Sequence, residues 1–182
     1  VLAEHFFGLK AAAKDLMGFD ILVHAGTALA LIIAYRKRWY HILKRSDEEH
    51  KTLLKFIIYA SIPAAILGLL FNDVVAMSFR SVSTVALAMI ATGSVLLLVG
   101  KGWEHQRKEG IRPKTMSQTQ AILIGCAQAI AIIPGISRSG VTIATGQLSG
   151  LSRQNALDFS FLLALPIILG ASLLTGIDVL RG

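Results

Sequence analysis

Residues 119–151 read TQAILIGCAQAIAIIPGISRSGVTIATGQLSGL. Two uncharged apolar runs, 119–136 and 141–151, flank the turn Pro134-Gly135-Ile136-Ser137-Arg138-Ser139-Gly140. Arg138 is the only charge between Lys114 and Arg153. A helix rises about 1.5 Å per residue, whereas a bilayer's hydrocarbon core is about 30 Å thick. The 11-residue run 141–151 would therefore extend only about 16 Å as a helix, half a crossing. The pair reads as a re-entrant hairpin, in which one helix enters, the chain turns at mid-depth, and a half-helix returns toward Arg153. Irregular backbone at that depth is tolerated only where protein buries it or where it lines a watery cavity.

The flanking sequence supplies membrane crossings around this hairpin. Apolar runs at 19–35, 54–71, 82–100 and 157–177 come close to the roughly 20 residues a span needs. They do not alternate apolar and polar residues, as barrel strands would, so they read as helices, with Pro63 and Pro166 as expected kinks. With 54% hydrophobic and 16% charged residues and a mean hydropathy of +0.63, a water-soluble globule and a disordered chain are both excluded. The expected fold is all-α, a polytopic integral membrane protein forming one transmembrane domain over residues 1–182. The lone Cys126 forms no internal disulfide.

The net charge of +7 is mostly a topology signal. Residues 36–53 hold six Lys or Arg and residues 101–118 hold five, whereas 72–81 hold only Arg80. Basic connections face the cytoplasm, which places 36–53 and 101–118 inside and 72–81 outside. Two basic loops between apolar helices argue against a nucleic-acid partner. Trp39, Tyr40 and Trp103 read as interfacial anchors, and 104–114 as a solvated charged loop.

The turn carries the chemistry. An arginine near the bilayer centre costs at least about 2.5–3.5 kcal/mol on insertion scales, which marks Arg138 as functional unless it merely pairs with a carbonyl or an acid. Gly135 and Gly140 permit a tight turn and close approach of a ligand. Ser137, Ser139 and Thr142 offer hydroxyl donors, each also a candidate nucleophile beside water. A half-helix starting near Gly140 would aim its free N–H groups and positive dipole end at the turn. Guanidinium, hydroxyls and helix N-terminus together suit a phosphate.

The stretch from Gln128 to Ile143, with Pro134-Gly135-Ile136-Ser137-Arg138-Ser139-Gly140 at its heart, resembles the second signature motif of bacterial undecaprenyl-diphosphate phosphatases. These are bacitracin-resistance membrane enzymes that recycle the cell-wall lipid carrier. The similarity continues through 159–166 and Gly170-Ala171, and upstream through 19–27 and 62–68. The resemblance implies hydrolysis of undecaprenyl diphosphate to the monophosphate and inorganic phosphate. It implies catalytic roles for Arg138 and Ser137, and substrate binding by Ser139, Gly140, Thr142 and Gly135. It further implies two re-entrant hairpins in an inverted repeat, a site open to the periplasmic side, a location in the bacterial inner membrane, and a divalent cation, Mg or Ca. A homo-oligomer is compatible with it.

In that family a first motif, with two glutamates and a Ser-Ser-Thr-Gly-His stretch, precedes the segment matching Val1 to His5, and further helices follow the segment matching Ala171 to Gly182. The expectation is therefore a fragment of a larger inverted-repeat protein, without the general acid/base or the metal-binding carboxylates and inactive alone. Glu4 and His5 match the stretch after that motif and are not substitutes for it. Broken half-helices meeting at mid-membrane also suit a secondary transporter or a flippase of an anionic lipid, which is the alternative reading. His24 reads as a packing histidine more than a site residue, and Asp20 and Asp158 as segment-edge acids that reach water. Gln128 either faces the cavity or bonds between helices, and Gly146-x-x-x-Gly150 reads as a helix-packing spacing.

Overall fold

A computed structural model describes residues 13–44, 47–79, 81–108 and 116–181. They form six helices: α1 (Ala13–Lys44), α2 (Glu48–Ser78), α3 (Val82–Lys108), α4 (Gln118–Ile130), α5 (Arg138–Leu148) and α6 (Arg153–Arg181). No strand occurs among the described residues. Three windows, Glu48–Phe71, Val82–Lys101 and Arg153–Leu173, are long and apolar enough to cross a membrane. The fourth predicted crossing, 19–35, lies within the 32-residue α1. The chain is an all-α polytopic membrane protein with a hairpin of two half-length helices, 13 and 11 residues long.

The long helices overrun their apolar runs, α1, α2 and α6 at both ends and α3 at its C-terminal end. Arg36, Lys37, Arg38 and Lys44 lie on α1 itself, because Lys and Arg are good helix formers whose long stems extend to water. The connections on either side of α2 and before α6 are correspondingly short, and serine side chains cap α3 and α6. Asp47 precedes α2 and pairs with His50. Ser81 precedes α3, its hydroxyl accepting from the Thr84 amide at 3.1 Å. Ser152 precedes α6 and accepts from the Asn155 amide at 3.0 Å. Helix continues through both Pro63 and Pro166, so neither proline ends its element.

α6 is the central post. In its window 44% of residues are buried, against 11% in those of α2 and α3. Its Phe159, Leu162 and Leu163 join Ile42 of α1, Ile57 and Ala60 of α2, and Ala121 and Ile124 of α4 in one core. A second cluster joins Ala28 of α1 to Ala164, Leu165 and Ile168 of α6. Trp39 packs inward against both clusters, unlike the interfacial anchor expected of it, whereas Tyr40 is exposed with Lys44 over its ring. Trp103's side chain and residues 109–115 lie outside the described parts. Leu22, Leu69, Leu87, Leu97 and Leu98 point outward at 66–72% exposure. An apolar exterior, with small residues such as Gly125, Ala60, Gly146 and Ala156 where the helix backbones meet most closely, is what a lipid solvent selects.

Close backbone approach seats the hairpin. A Cβ on Gly125 of α4 would lie 2.5 Å from the Ala60 carbonyl oxygen of α2, so only glycine lets these helices meet. At the hairpin's foot, Ser117 and Gln120 cap α4 reciprocally: the Gln120 amide donates to Ser117 Oγ at 3.3 Å, and the Ser117 amide to Gln120 Oε1 at 2.7 Å. The same Gln120 side chain donates Nε2–H to the Ser149 carbonyl at 2.8 Å, tying the start of α4 to the end of α5. α5 closes in a Schellman motif: the Leu151 amide reaches the Gly146 carbonyl and the Gly150 amide the Gln147 carbonyl, with Gly150 at φ +94°. The Gly146-x-x-x-Gly150 spacing therefore serves two ends. A Cβ on Gly146 would lie 3.0 Å from that of Ala156 on α6, whereas Gly150 meets nothing and is a turn residue.

Candidate functional site

The site is the top of this hairpin. α4 unwinds through tighter turns, with the Ile133 amide on the Ile130 carbonyl at 3.2 Å. Ile133 to Ile136 then form a turn closed by the Ile136 amide on the Ile133 carbonyl at 3.1 Å, with Pro134 second and Gly135 third at φ +95°. Proline followed by a positive-φ glycine is the signature of a type II turn. A Cβ on Gly135 would lie 2.5 Å from the Val85 carbonyl oxygen, so the turn rests on the α3 backbone.

Ser137 is the N-cap of α5, accepting from the Gly140 amide at 3.2 Å and lying 3.4 Å from Ser139 Oγ. α5 thus begins at Arg138, earlier than the sequence reading placed it. Arg138 and Ser139 occupy the first two helical positions, whose amides have no intrahelical acceptor. Ser137 is exposed, and Arg138 and Ser139 are half-buried. Guanidinium, two hydroxyls and two free amides thus gather at one helix N-terminus. Arg138 Nη1 is itself buried and has no hydrogen-bond partner among the described residues. The ordinary explanation of an intramembrane arginine, a partner carbonyl or acid, is not met at that atom.

α3 acts as a ruler for depth. Gly140 faces Thr92 and Leu96, and Gly135 faces Val85 and Ala88. Thr92 lies about 15 Å along α3 from Val82, at the middle of its apolar run, and Val85 only about 4.5 Å along it. The start of α5 is level with mid-span, but the Pro-Gly turn stands above it, near the end of α3 that leads to the 79–81 connection and not at the mid-depth expected of it.

Thr142 is only 1% exposed, and its hydroxyl is engaged. It lies 3.0 Å from the Arg138 carbonyl and 2.7 Å from Ser160 Oγ on α6. It braces the first turn of α5 from beneath and does not face the open end. Ser160 and Gln120 were not singled out from the sequence. Gln120 was detectable there through the capping-box spacing Ser117-x-x-Gln120, but Ser160 had no local signal. Gln128 is 3% exposed, and neither Nε2 nor Oε1 has a partner among the described residues. An amide so placed costs about 1–3 kcal/mol per unpaired group. His24 lies on an exposed face of α1, and Asp158 is half-buried and accepts from Gln154 at 3.3 Å. Asp20's side chain and residues 1–12 lie outside the described parts.

The donor set does not fit a divalent cation. Mg and Ca take oxygen ligands, typically carboxylates, whereas the hairpin offers a guanidinium, hydroxyls and an amide. No group of three or more His, Cys, Asp or Glu suited to a metal occurs among the described residues. What the hairpin suits is an anion.

The family described as bacitracin resistance protein BacA matches residues 1–181. An undecaprenyl-diphosphatase of Thermodesulfovibrio yellowstonii is 41% identical over 174 residues, covering 96% of this chain and 63% of the relative. One from Elusimicrobium minutum is 38% identical over 165 residues, covering 88% and 62%. Undecaprenyl-diphosphatase 3 of Bacillus anthracis is 36% identical over 191 residues, covering 100% and 68%. The chain thus spans about two thirds of the length of these relatives, 62–68%.

Proposed function

The chain belongs to the bacitracin resistance protein BacA family, and from that premise we propose that its hairpin binds and helps to hydrolyse undecaprenyl diphosphate. The single observation that carries the reading is Arg138, a cation at the start of a half-length helix with a buried, unpartnered Nη1. A guanidinium at a helix N-terminus selects an anionic headgroup, and a diphosphate matches both.

In this proposal a water oxygen attacks the terminal phosphorus, and the bond from that phosphorus to the bridging oxygen breaks. The products are the lipid monophosphate and inorganic phosphate. Charge spreads over the equatorial oxygens as the phosphoryl group transfers. Arg138 offsets that charge from a fixed position, and the first amides of α5 add their dipoles. Ser137 holds the helix start and offers its exposed hydroxyl, Ser139 lies beside it, and Gly135 and Gly140 let the turn and helix seat on α3. Thr142 acts through its brace to Ser160. Residues 1–182 function as one transmembrane domain of the bacterial inner membrane, with the basic ends of α1 and α3 in the cytoplasm. A divalent cation belongs to the proposal only through the family resemblance, and no step is routed through one.

The test is orthophosphate release from a long-chain prenyl diphosphate by the intact protein in detergent or liposomes. Arg138→Ala is expected to lower kcat about 100- to 1000-fold, the usual effect of removing one transition-state donor. Undiminished turnover overturns the role of Arg138. Movement of the lipid across liposomes without orthophosphate release would favour the transporter reading instead.

A further inference from the structure

Helix register places a second polar arm below Arg138. Gly146 of α5 meets Ala156 of α6 and Ile124 of α4, so 124, 146 and 156 form one layer where three helices join. One helical turn toward the Pro-Gly turn gives the next layer: 128 on α4, 142 on α5 and 160 on α6. The 2.7 Å contact between Thr142 and Ser160 confirms two members of that layer, and burial of Gln128 to 3% exposure fits the third. A further turn along α5 is Arg138. In the lower layer the Thr142 and Ser160 hydroxyls satisfy each other, whereas both polar atoms of Gln128 are buried and unpartnered. Arg138 Nη1 is in the same condition in the layer above.

Two adjacent layers of one seam therefore hold donors that the protein itself does not use. We infer that Gln128 is a substrate-binding residue, donating its Nε2–H to a phosphoryl oxygen of the diphosphate whose other oxygens Arg138 grips. This inference rests on the proposed anion site and adds its inner wall. The layers are about 6 Å apart along the axis, a gap that a diphosphate and two long side chains can bridge. An amide matches such a ligand better than a second cation would, because a neutral donor is cheaper to bury when the site is empty.

The experiment compares Gln128→Met and Gln128→Asn with unsubstituted intact protein, measuring affinity for a prenyl diphosphate and for inorganic pyrophosphate alongside melting temperature. Gln128→Met keeps the length and removes the polar atoms. It is expected to melt at the same temperature or higher, while both ligands bind about ten- to a hundredfold more weakly, as loss of one charge-assisted hydrogen bond requires. Gln128→Asn, which withdraws the amide by one methylene, is expected to weaken binding at least about fivefold with little change in melting. Equal losses for lipid and free pyrophosphate support headgroup recognition, and a loss confined to the lipid overturns it. Affinity within twofold of the unsubstituted protein, with or without a lower melting temperature, also overturns the inference. Binding without phosphate release removes the hydrolytic reading but leaves the Gln128 contact standing. If Arg138→Ala loses binding while the Gln128 variants keep it, only the Gln128 contact falls.

Discussion

Two glycines with nearly equal backbone angles offer a test of how the turn is held. Gly135 has φ +95° and Gly150 has φ +94°. A Cβ on Gly135 would lie 2.5 Å from the Val85 carbonyl oxygen and 2.9 Å from its Cα, whereas one on Gly150 would meet nothing within 4 Å. Alanine at either position incurs backbone strain of about 1–3 kcal/mol. Only Gly135→Ala also collides with backbone that cannot swing aside, adding about 1–3 kcal/mol of overpacking. The expected totals are about 2–6 kcal/mol for Gly135→Ala and about 1–3 kcal/mol for Gly150→Ala, and the difference isolates the contact with α3. Reversible unfolding in detergent, followed by circular dichroism, measures both. Gly68→Ala, in open space within α2, is the control and should be neutral or raise stability by about 0.5–1 kcal/mol. Displacing the turn also moves Ser137 and Arg138, so folded Gly135→Ala should lose about 100-fold in turnover, as misplacements of about 1 Å do, while folded Gly150→Ala keeps it. Equal destabilisation by the two alanines would refute the claim that α3 carries the turn.

Gln120→Leu removes the side-chain half of the capping box and the tie to Ser149 together, with an expected loss of about 2–3 kcal/mol by the same unfolding measurement. Gln120→Glu retains an acceptor for the Ser117 amide but cannot donate to Ser149, so it should lose only about half as much, and unchanged stability in Gln120→Glu would separate the tie from stability. In a double-mutant cycle, Thr142→Val and Ser160→Ala should couple by about 0.5–1.5 kcal/mol, the range for hydroxyl pairs between membrane helices. Additive effects would show that the 2.7 Å contact does not brace α5.

Much of this was legible before any coordinates. Run length alone gave the half-helix α5, because 11 uncharged residues before a basic flank cannot cross a bilayer, whereas the 18-residue run 119–136 is near crossing length and did not show that α4 stops at Ile130. Pro134-Gly135 marked the turn and the isolated charge marked Arg138. Other features depended on neighbours that no local pattern names. Thr142 reads as one more hydroxyl until α6 brings Ser160 beneath it, and Gly146 and Gly150 look equivalent until their surroundings are compared. The helices extend past their apolar runs because hydropathy reports the solvent, not the end of the hydrogen-bonded backbone. Trp39 was misplaced for a related reason. Its position at an apolar–basic border suggests the interface, but its face of α1 is the one that packs on α6.

The single carboxamide joining both feet of the hairpin has a consequence for biogenesis. Either arm alone, at 13 or 11 residues too short to cross the bilayer, would enter it with its foot untied. With Gln120 clasping Ser117 and Ser149, the arms dip into the bilayer as one fastened loop from a single leaflet, without threading through it. Releasing that clasp would open the loop from its base, and the arginine at its far tip would lose its footing even though nothing near it had changed.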